Sequence, residues 1–369
     1  MRENIQEWWA VSGWFLEGDA MPAGDHVRQI IDEQTAGWRE ALRRARPLDR
    51  AARHVFSGSG SSYYVALAAA AVGRRLGLNV EAMPACELCL EPDQALRGVD
   101  HLLLISRSGA TSEALWALSE ARRLGLSVSA LSADPESDLV AAVGEAEASP
   151  AWEDDAVVMV RSCTGFLLFL EASMAHSVGA RPLDEREWVE GFQMARAAGG
   201  TLTEALVGVP RRLVILGAGV REGIAREGML KVTEMAHVAT ATYHPMEFRH
   251  GPRGALSDQD WVVLLGQAAF AEEEARVLND ILTQGPRVAV VARSEWFTAA
   301  GSLAAGVARA LLPDRPDDLW NGPLALVPLQ VLAWELAIRA GEDPDAPANL
   351  SKVVRLEGRE APAVETTES

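Results

Sequence analysis

Cysteine is scarce: three residues in a chain of 369 are too few for a disulfide framework. Two of them, Cys86 and Cys89, form a C-x-x-C. A zinc site needs a second such pair, and the seven histidines are scattered elsewhere, so packing is the plainer reading and no metal is expected. Positive charge is also in deficit. With 34 Lys and Arg against 52 Asp and Glu, the net charge is −18 and the pI lies near 4.9. That field repels nucleic-acid phosphates and anionic membrane surfaces, so neither is an expected partner. No apolar run follows Met1-Arg-Glu-Asn, so no secretory signal is read. No stretch holds the roughly 18 uninterrupted apolar residues of a membrane span, and no helix-turn-helix segment of a DNA-binding regulator is apparent. A cytoplasmic protein is expected.

What is present is a pattern that occurs twice. His54-Val-Phe-Ser-Gly-Ser-Gly60 reads as a short apolar strand, a glycine turn and the start of a helix, and Leu213-Val-Ile-Leu-Gly-Ala-Gly219 reads the same way. Each is followed by a second strand, His101–Ile105 or Trp261–Leu265, then by a helix over 111–124 or 270–284, then by a strand at Ser127–Leu131 or Arg287–Val291. Strands alternating with helices predict α/β architecture with two tandem, doubly wound parallel sheets of five short strands each. Further helices are expected over 26–45, 162–180, 186–207 and 323–341, the third a polar connector. The expected divisions are a helical segment over 1–47, a first domain with connector helices over 48–200, a second over 201–345, and a C-terminal segment over 346–369. The tail after Leu356 reads as disordered.

In open parallel sheets ligands sit beyond the carboxyl ends of the strands, where loops meet helix N-termini. The first half places Gly58-Ser-Gly-Ser-Ser62 and Ser106-Arg-Ser-Gly-Ala-Thr111 at two such positions. Small residues let backbone N–H groups approach an anion, and hydroxyls add donors. Ser61, Ser62, Ser106, Ser108 and Thr111 are therefore candidates for gripping a phosphate. Arg107 could add a charged contact, although loop arginines commonly face solvent. Helix capping explains serines here equally well one loop at a time. However, Val220-Arg-Glu222 and Gly266-Gln-Ala268 at the matching positions of the second half lack hydroxyls, which capping alone does not predict. One phosphate site, in the first half, is expected.

Glu227, Lys231 and Glu234 share one face of a helix that is apolar elsewhere, with Met229, Leu230, Val232, Met235 and Ala236. A buried charged face is either a structural ion-pair stripe or catalytic. The next segment, Tyr243-His-Pro-Met-Glu-Phe-Arg-His-Gly-Pro-Arg253, fixes His250 between arginine, glycine and proline and favours the catalytic reading, with His244 a weaker candidate.

With these residues in view, the chain resembles the tandem SIS (sugar isomerase) family. It is similar to the isomerase half of glucosamine-6-phosphate synthase and to AgaS-type amino-sugar-phosphate deaminase/isomerases. Gly-Ser-Ser-Tyr63 and Ser-Arg-Ser-Gly109 resemble the family's phosphate loops, Glu227, Lys231, Glu234 and His250-Gly-Pro its catalytic helix and loop, and Asp343–Lys352 the lysine-bearing C-terminal segment. The resemblance implies that Ser62, Ser106, Ser108 and Thr111 hold the phosphate and that Ser162 contacts the sugar. It further implies that Glu234 shuttles a proton between C1 and C2 while Lys231 stabilises the developing charge. His250 would open the ring from a partner subunit of a homodimer, and Lys352 would meet the open-chain sugar or form an imine. Arg107 and Ala110 depart from the synthase, which has glutamine and glutamate there, and no glutaminase region is read, so a complete glutamine-dependent synthase is not expected. The implied partner is a phosphorylated amino sugar, with no cofactor. The leading expectation is a hexosamine 6-phosphate deaminase/isomerase. An aldose–ketose phosphate isomerase, a deglycase of sugar–amine adducts and a sugar-phosphate sensor are the alternatives.

Overall fold

Short runs rich in Val, Leu, Ile and Ala, most of them followed by glycine, serine or proline, suit the strands of parallel sheets, whose central members are buried on both faces. The computed structural model describes residues 22–180, 185–303 and 306–356. The first-half strands are β1 (His54–Gly58), β2 (Val80–Pro84), β3 (His101–Ile105), β4 (Ser127–Ser132) and β5 (Glu145–Ala148). The second-half strands are β6 (Arg212–Leu216), β7 (Thr240–Tyr243), β8 (Asp260–Leu265), β9 (Arg287–Ala292) and β10 (Val307–Leu311). They form two five-stranded sheets, ordered β2-β1-β3-β4-β5 and β10-β9-β8-β6-β7, and every pairing is parallel.

The two orders are the same when each half is numbered from its own first strand. Register repeats as well: His54 lies opposite Val80 and His101, while Leu213 lies opposite Thr240 and Trp261. The strand order reverses between β1 and β3 and again between β6 and β8, so each half has a crevice at its switch point. The backbone turns into the following helix at Gly60 (φ 56°, ψ −126°) and at Gly219 (φ 53°, ψ −118°), a conformation that disfavours any side chain. The duplication read from the sequence is thus repeated down to the backbone angles.

The two halves meet through helices. Ser61–Arg75 packs on Val220–Ala236, and Gly322–Ala340 packs on Val220–Ala236 and on Glu185–Ala205. A Cβ at Gly223 would lie 2.4 Å from the backbone nitrogen of Ala68, so the helices approach backbone to backbone. Leu324, Leu329, Leu332 and Leu336 are fully buried in this layer, each contributing about 1.5–3 kcal/mol.

Three expectations change. The helix read over 26–45 is two, Asp25–Glu33 and Thr35–Arg44, joined at buried Gln34. The connector Glu185–Ala205 is amphipathic rather than simply polar, burying Trp188, Phe192, Ala195 and Leu202. Gly322–Ala340 is long and apolar enough to cross a membrane, despite its polar interruptions, yet the fold buries most of it as a core helix. Residues 1–21 of the N-terminal segment and the tail beyond Leu356 lie outside the described residues.

Candidate active site

The hydroxyl loops after β1 and β3 come together at the first switch point. Ser61 and Ser62 open the helix Ser61–Arg75 and are buried, as is Ser106 at the end of β3. They line a cavity of about 180 Å³ with Ser59, Gly60, Ser108 and Thr111. Ser106 Oγ accepts from Gly109 N at 3.1 Å, and Ser108 Oγ from Ala110 N at 3.3 Å. These hydroxyls accept within their own loop, so each proton remains available to an anion. Two larger cavities, of about 410 and 690 Å³, lie elsewhere and contain none of these serines.

The second half contributes the charged face. In Val220–Ala236, the Lys231 ammonium is fully buried, 3.4 Å from Glu227, 2.5 Å from Glu234 and 3.2 Å from Ser61 Oγ. Burial works against that ammonium, but the carboxylates of Glu227 and Glu234 outweigh it and raise the lysine pKa. Burial pushes the Glu227 carboxyl above the ordinary range, and Lys231 draws it back in part. Cys163 donates to Glu227 Oε1 at 3.1 Å and is itself held neutral by burial and by that carboxylate. Glu234, at the end of the row, reaches the cavity and keeps a side chain about one-fifth exposed. A buried row of charge therefore ends on one carboxylate presented to the phosphate loops.

The C-terminal segment closes the third side. Lys352 lines the cavity beside Ser351 and Val354, and its ammonium pairs with Glu153 at 2.9 Å. Val354 O accepts from Ser112 N, and Leu356 N donates to Ser112 Oγ, strapping the segment across the β3 loop.

Arg107 lines the cavity, but neither solvent exposure nor a charged grip on phosphate describes it. Its guanidinium is buried and donates to the carbonyls of Ala156, Val157, Val158 and Lys352 at 2.9–3.3 Å, with Asp154 at 3.6 Å. With its donors so committed, it positions the 156–158 wall and the strap. Ser162, by contrast, does not line the cavity. It is fully buried and donates to Asp154, whose carboxylate also accepts from the N–H groups of Val160, Arg161 and Ser162 at the start of Arg161–Val178. It therefore belongs to a helix-capping cluster. His250 is exposed in the turn after Pro245–Phe248 and away from the cavity, while its neighbours Arg249 and Arg253 pair with Asp280. His244 Nδ1 caps that short helix by accepting from Met246 N. Cys86 is exposed, and Cys89 is buried and donates to Glu113 O.

Val157 and Met159 were not legible as cavity walls. A simpler signal was available in the composition: the chain has two lysines, Lys231 and Lys352, and both stand at this site.

Fold and site together define a doubly wound α/β protein whose serine-lined cavity is completed by a carboxylate from its other half and a lysine from its C-terminal strap. Residues 209–295 match the family model for the SIS domain. The glutamine–fructose-6-phosphate aminotransferase (isomerizing) of Gluconobacter oxydans is 29% identical over 332 residues, covering 83% of this chain and 52% of that protein. The enzyme of the same name from Pyrococcus horikoshii is 26% identical, covering 90% and 56%. The chain spans about half the length of the curated relatives it matches. Among solved structures, glucosamine-6-phosphate deaminase of Thermotoga maritima superposes with a TM-score of 0.73 at 23% identity, covering 90% of this chain and all of that one. Tagatose-6-phosphate ketose/aldose isomerase of Escherichia coli gives 0.69 at 22%, covering 87% and 91%. These structures share the fold.

Proposed function

We propose that the chain is an amino-sugar 6-phosphate deaminase/isomerase, acting on a hexosamine 6-phosphate and releasing ammonia and a ketose 6-phosphate. The observation that carries this reading is that Glu234 and Lys352 line the same cavity as the two serine loops. A phosphate held by Ser62, Ser106, Ser108 and Thr111 places the rest of an open-chain sugar along the wall that ends on Glu234. Proton removal from C2 by Glu234 and return to C1 converts the 2-amino aldose into a 2-imino compound. Water adds to that C=N bond, and the carbinolamine expels ammonia to leave the ketone. Lys231 holds Glu234 in place and offers the positive charge that stabilises the enolate-like intermediate. Lys352, 39% exposed at the rim, reaches the reacting carbonyl once it leaves Glu153.

In this reading His250 opens the sugar ring from the partner subunit of a homodimer, in keeping with its exposure and its distance from the chain's own cavity. The enzyme works in the cytoplasm without a cofactor. The names of the relatives and neighbours support amino-sugar and ketose phosphates as the substrate class.

Ammonia and ketose are assayed in parallel on glucosamine 6-phosphate and galactosamine 6-phosphate. Stoichiometric release of both is expected, and Glu234→Gln should lower kcat by about 10²–10⁴-fold, the usual contribution of a general base, with sugar-phosphate binding kept. Interconversion of aldose and ketose phosphates without ammonia would move the assignment to a plain isomerase.

A further inference from the structure

The second switch point repeats the backbone of the first without its hydroxyls. Aligning the halves on Gly60 and Gly219 and on the β1–β3 and β6–β8 registers pairs Ser62 with Arg221, Ser108 with Ala268, and Glu234 with Arg75. Arg221 is fully buried, with Nε and Nη1 lacking any protein partner. Gln267, the counterpart of Arg107, donates from Nε2 to Ala218 O, while its buried Oε1 has no partner. Arg75 stacks over Phe270 at 5.4 Å, and its Nη2 would lie 3.5 Å from a Cβ at Gly219. Donors thus gather where the first half gathers hydroxyls. The Asp318 carboxylate answers them directly, while those of Glu171 and Glu274 also lie near Arg221 and Glu274 Oε2 accepts from Gln267 N at 3.1 Å. Asp318 Oδ2 accepts from Ala268 N at 2.7 Å, Oδ1 accepts from Arg221 Nη2 at 3.1 Å, and Arg293 Nη1 lies 4.0 Å away.

We propose that the second half retains an oxyanion site and fills it with its own side chain, the Asp318 carboxylate standing where the first half receives a phosphate. An acidic residue in the segment after the last strand of the second half thus turns a binding crevice into an internal ion pair. This accounts for one substrate phosphate per chain. It also explains why the second-half loops dispense with serine: an anion fixed covalently needs fewer donors than one captured from water. The parallel rests on the hydroxyl loops being the phosphate cradle. The test does not, because it is made with those serines removed.

In a Ser106→Ala/Ser108→Ala background, Asp318→Ala is added and thermal melting is followed with increasing inorganic phosphate, and with sodium chloride at matched ionic strength. The expected result is a lowered melting temperature that phosphate raises saturably, by about 3 °C at roughly tenfold excess over its dissociation constant. Chloride and the Asp318-containing parent should show no such response, and adding Arg221→Met should abolish it. If Asp318→Ala does not fold in plain buffer, refolded yield with and without phosphate replaces melting, and rescue by phosphate over chloride is the expected result. A folded Asp318→Ala variant with no saturable response, a response equal to the parent's, or an unfolded variant that phosphate does not rescue would each overturn the proposal.

Discussion

Replacing Lys231 by methionine tests whether the buried charge row is held together by that ammonium. The lysine is fully buried, and its closest fully buried partner is Glu227 at 3.4 Å. At an effective dielectric near 20, a pair at that distance attracts by roughly 5 kcal/mol. Methionine fills much of the same volume but leaves Glu227 without a countercharge. The expected loss is about 3–5 kcal/mol, the usual result of removing one partner of a buried pair. The pH dependence carries the sharper signature. Glu227 already sits above the ordinary carboxylate range through burial, and loss of Lys231 pushes it further. A carboxyl whose folded pKa exceeds its unfolded value gives its full stability below the unfolded pKa and loses it as pH rises towards the folded one. Lys231→Met should therefore be more stable at about pH 5 than at about pH 8, and lose more stability between those two conditions than the wild type does. Urea denaturation at both pH values measures this. Glu227→Gln/Lys231→Met should recover most of the loss, since the glutamine needs no countercharge. A loss below about 1 kcal/mol, or a double variant no better than the single, would show that the row is not held in this way.

Ser106→Ala/Ser108→Ala should weaken binding of phosphorylated sugars at least tenfold, about 1.4 kcal/mol, and leave free sugars almost unaffected. Equal losses in calorimetry would remove these serines from the phosphate cradle. Gly223→Ala forces a Cβ to within 2.4 Å of Ala68 N and should destabilise by about 1–3 kcal/mol. It should also lower kcat by moving Glu234 from the serine loops; an unchanged denaturation midpoint would contradict the close packing. Burial raises the Glu274 carboxyl to about 7, against the hydrogen bond from Trp296. Its folded pKa thus exceeds the unfolded one, so its stabilising effect is complete below about pH 4.5 and falls as pH rises towards 7. Glu274→Gln should flatten that part of the stability–pH curve, and an unaltered slope would rule out the assignment.

The repeat was legible because its signals are local: apolar strand, glycine turn and helix start sit within a few residues of one another, twice. The hydroxyl loops were legible as a pair because the second half lacks them. Arg107 was not, since its partners Ala156, Val157, Val158 and Asp154 lie about fifty positions on and meet it only once β5 and the following turn are in place. Ser162 misled for a similar reason: a serine at a helix start satisfies both a sugar-contact reading and a capping one, and only Asp154 beside it decides. The i, i+4, i+7 spacing put Glu227, Lys231 and Glu234 on one face. It did not reveal that Glu227 and Lys231 are sealed while Glu234, the last of the row, reaches the cavity.

The scarcity of lysine has a practical consequence. Every cationic side chain other than Lys231 and Lys352 is an arginine, and Lys231 is sealed inside its ion pairs. Lys352 is thus the one side-chain amine that a reagent in solution can reach, at the mouth of the cavity. An acylating dye or a borohydride-trapped sugar would mark a single side chain on the protein. Protection of that mark by a bound phosphosugar would read site occupancy directly, with no engineered handle.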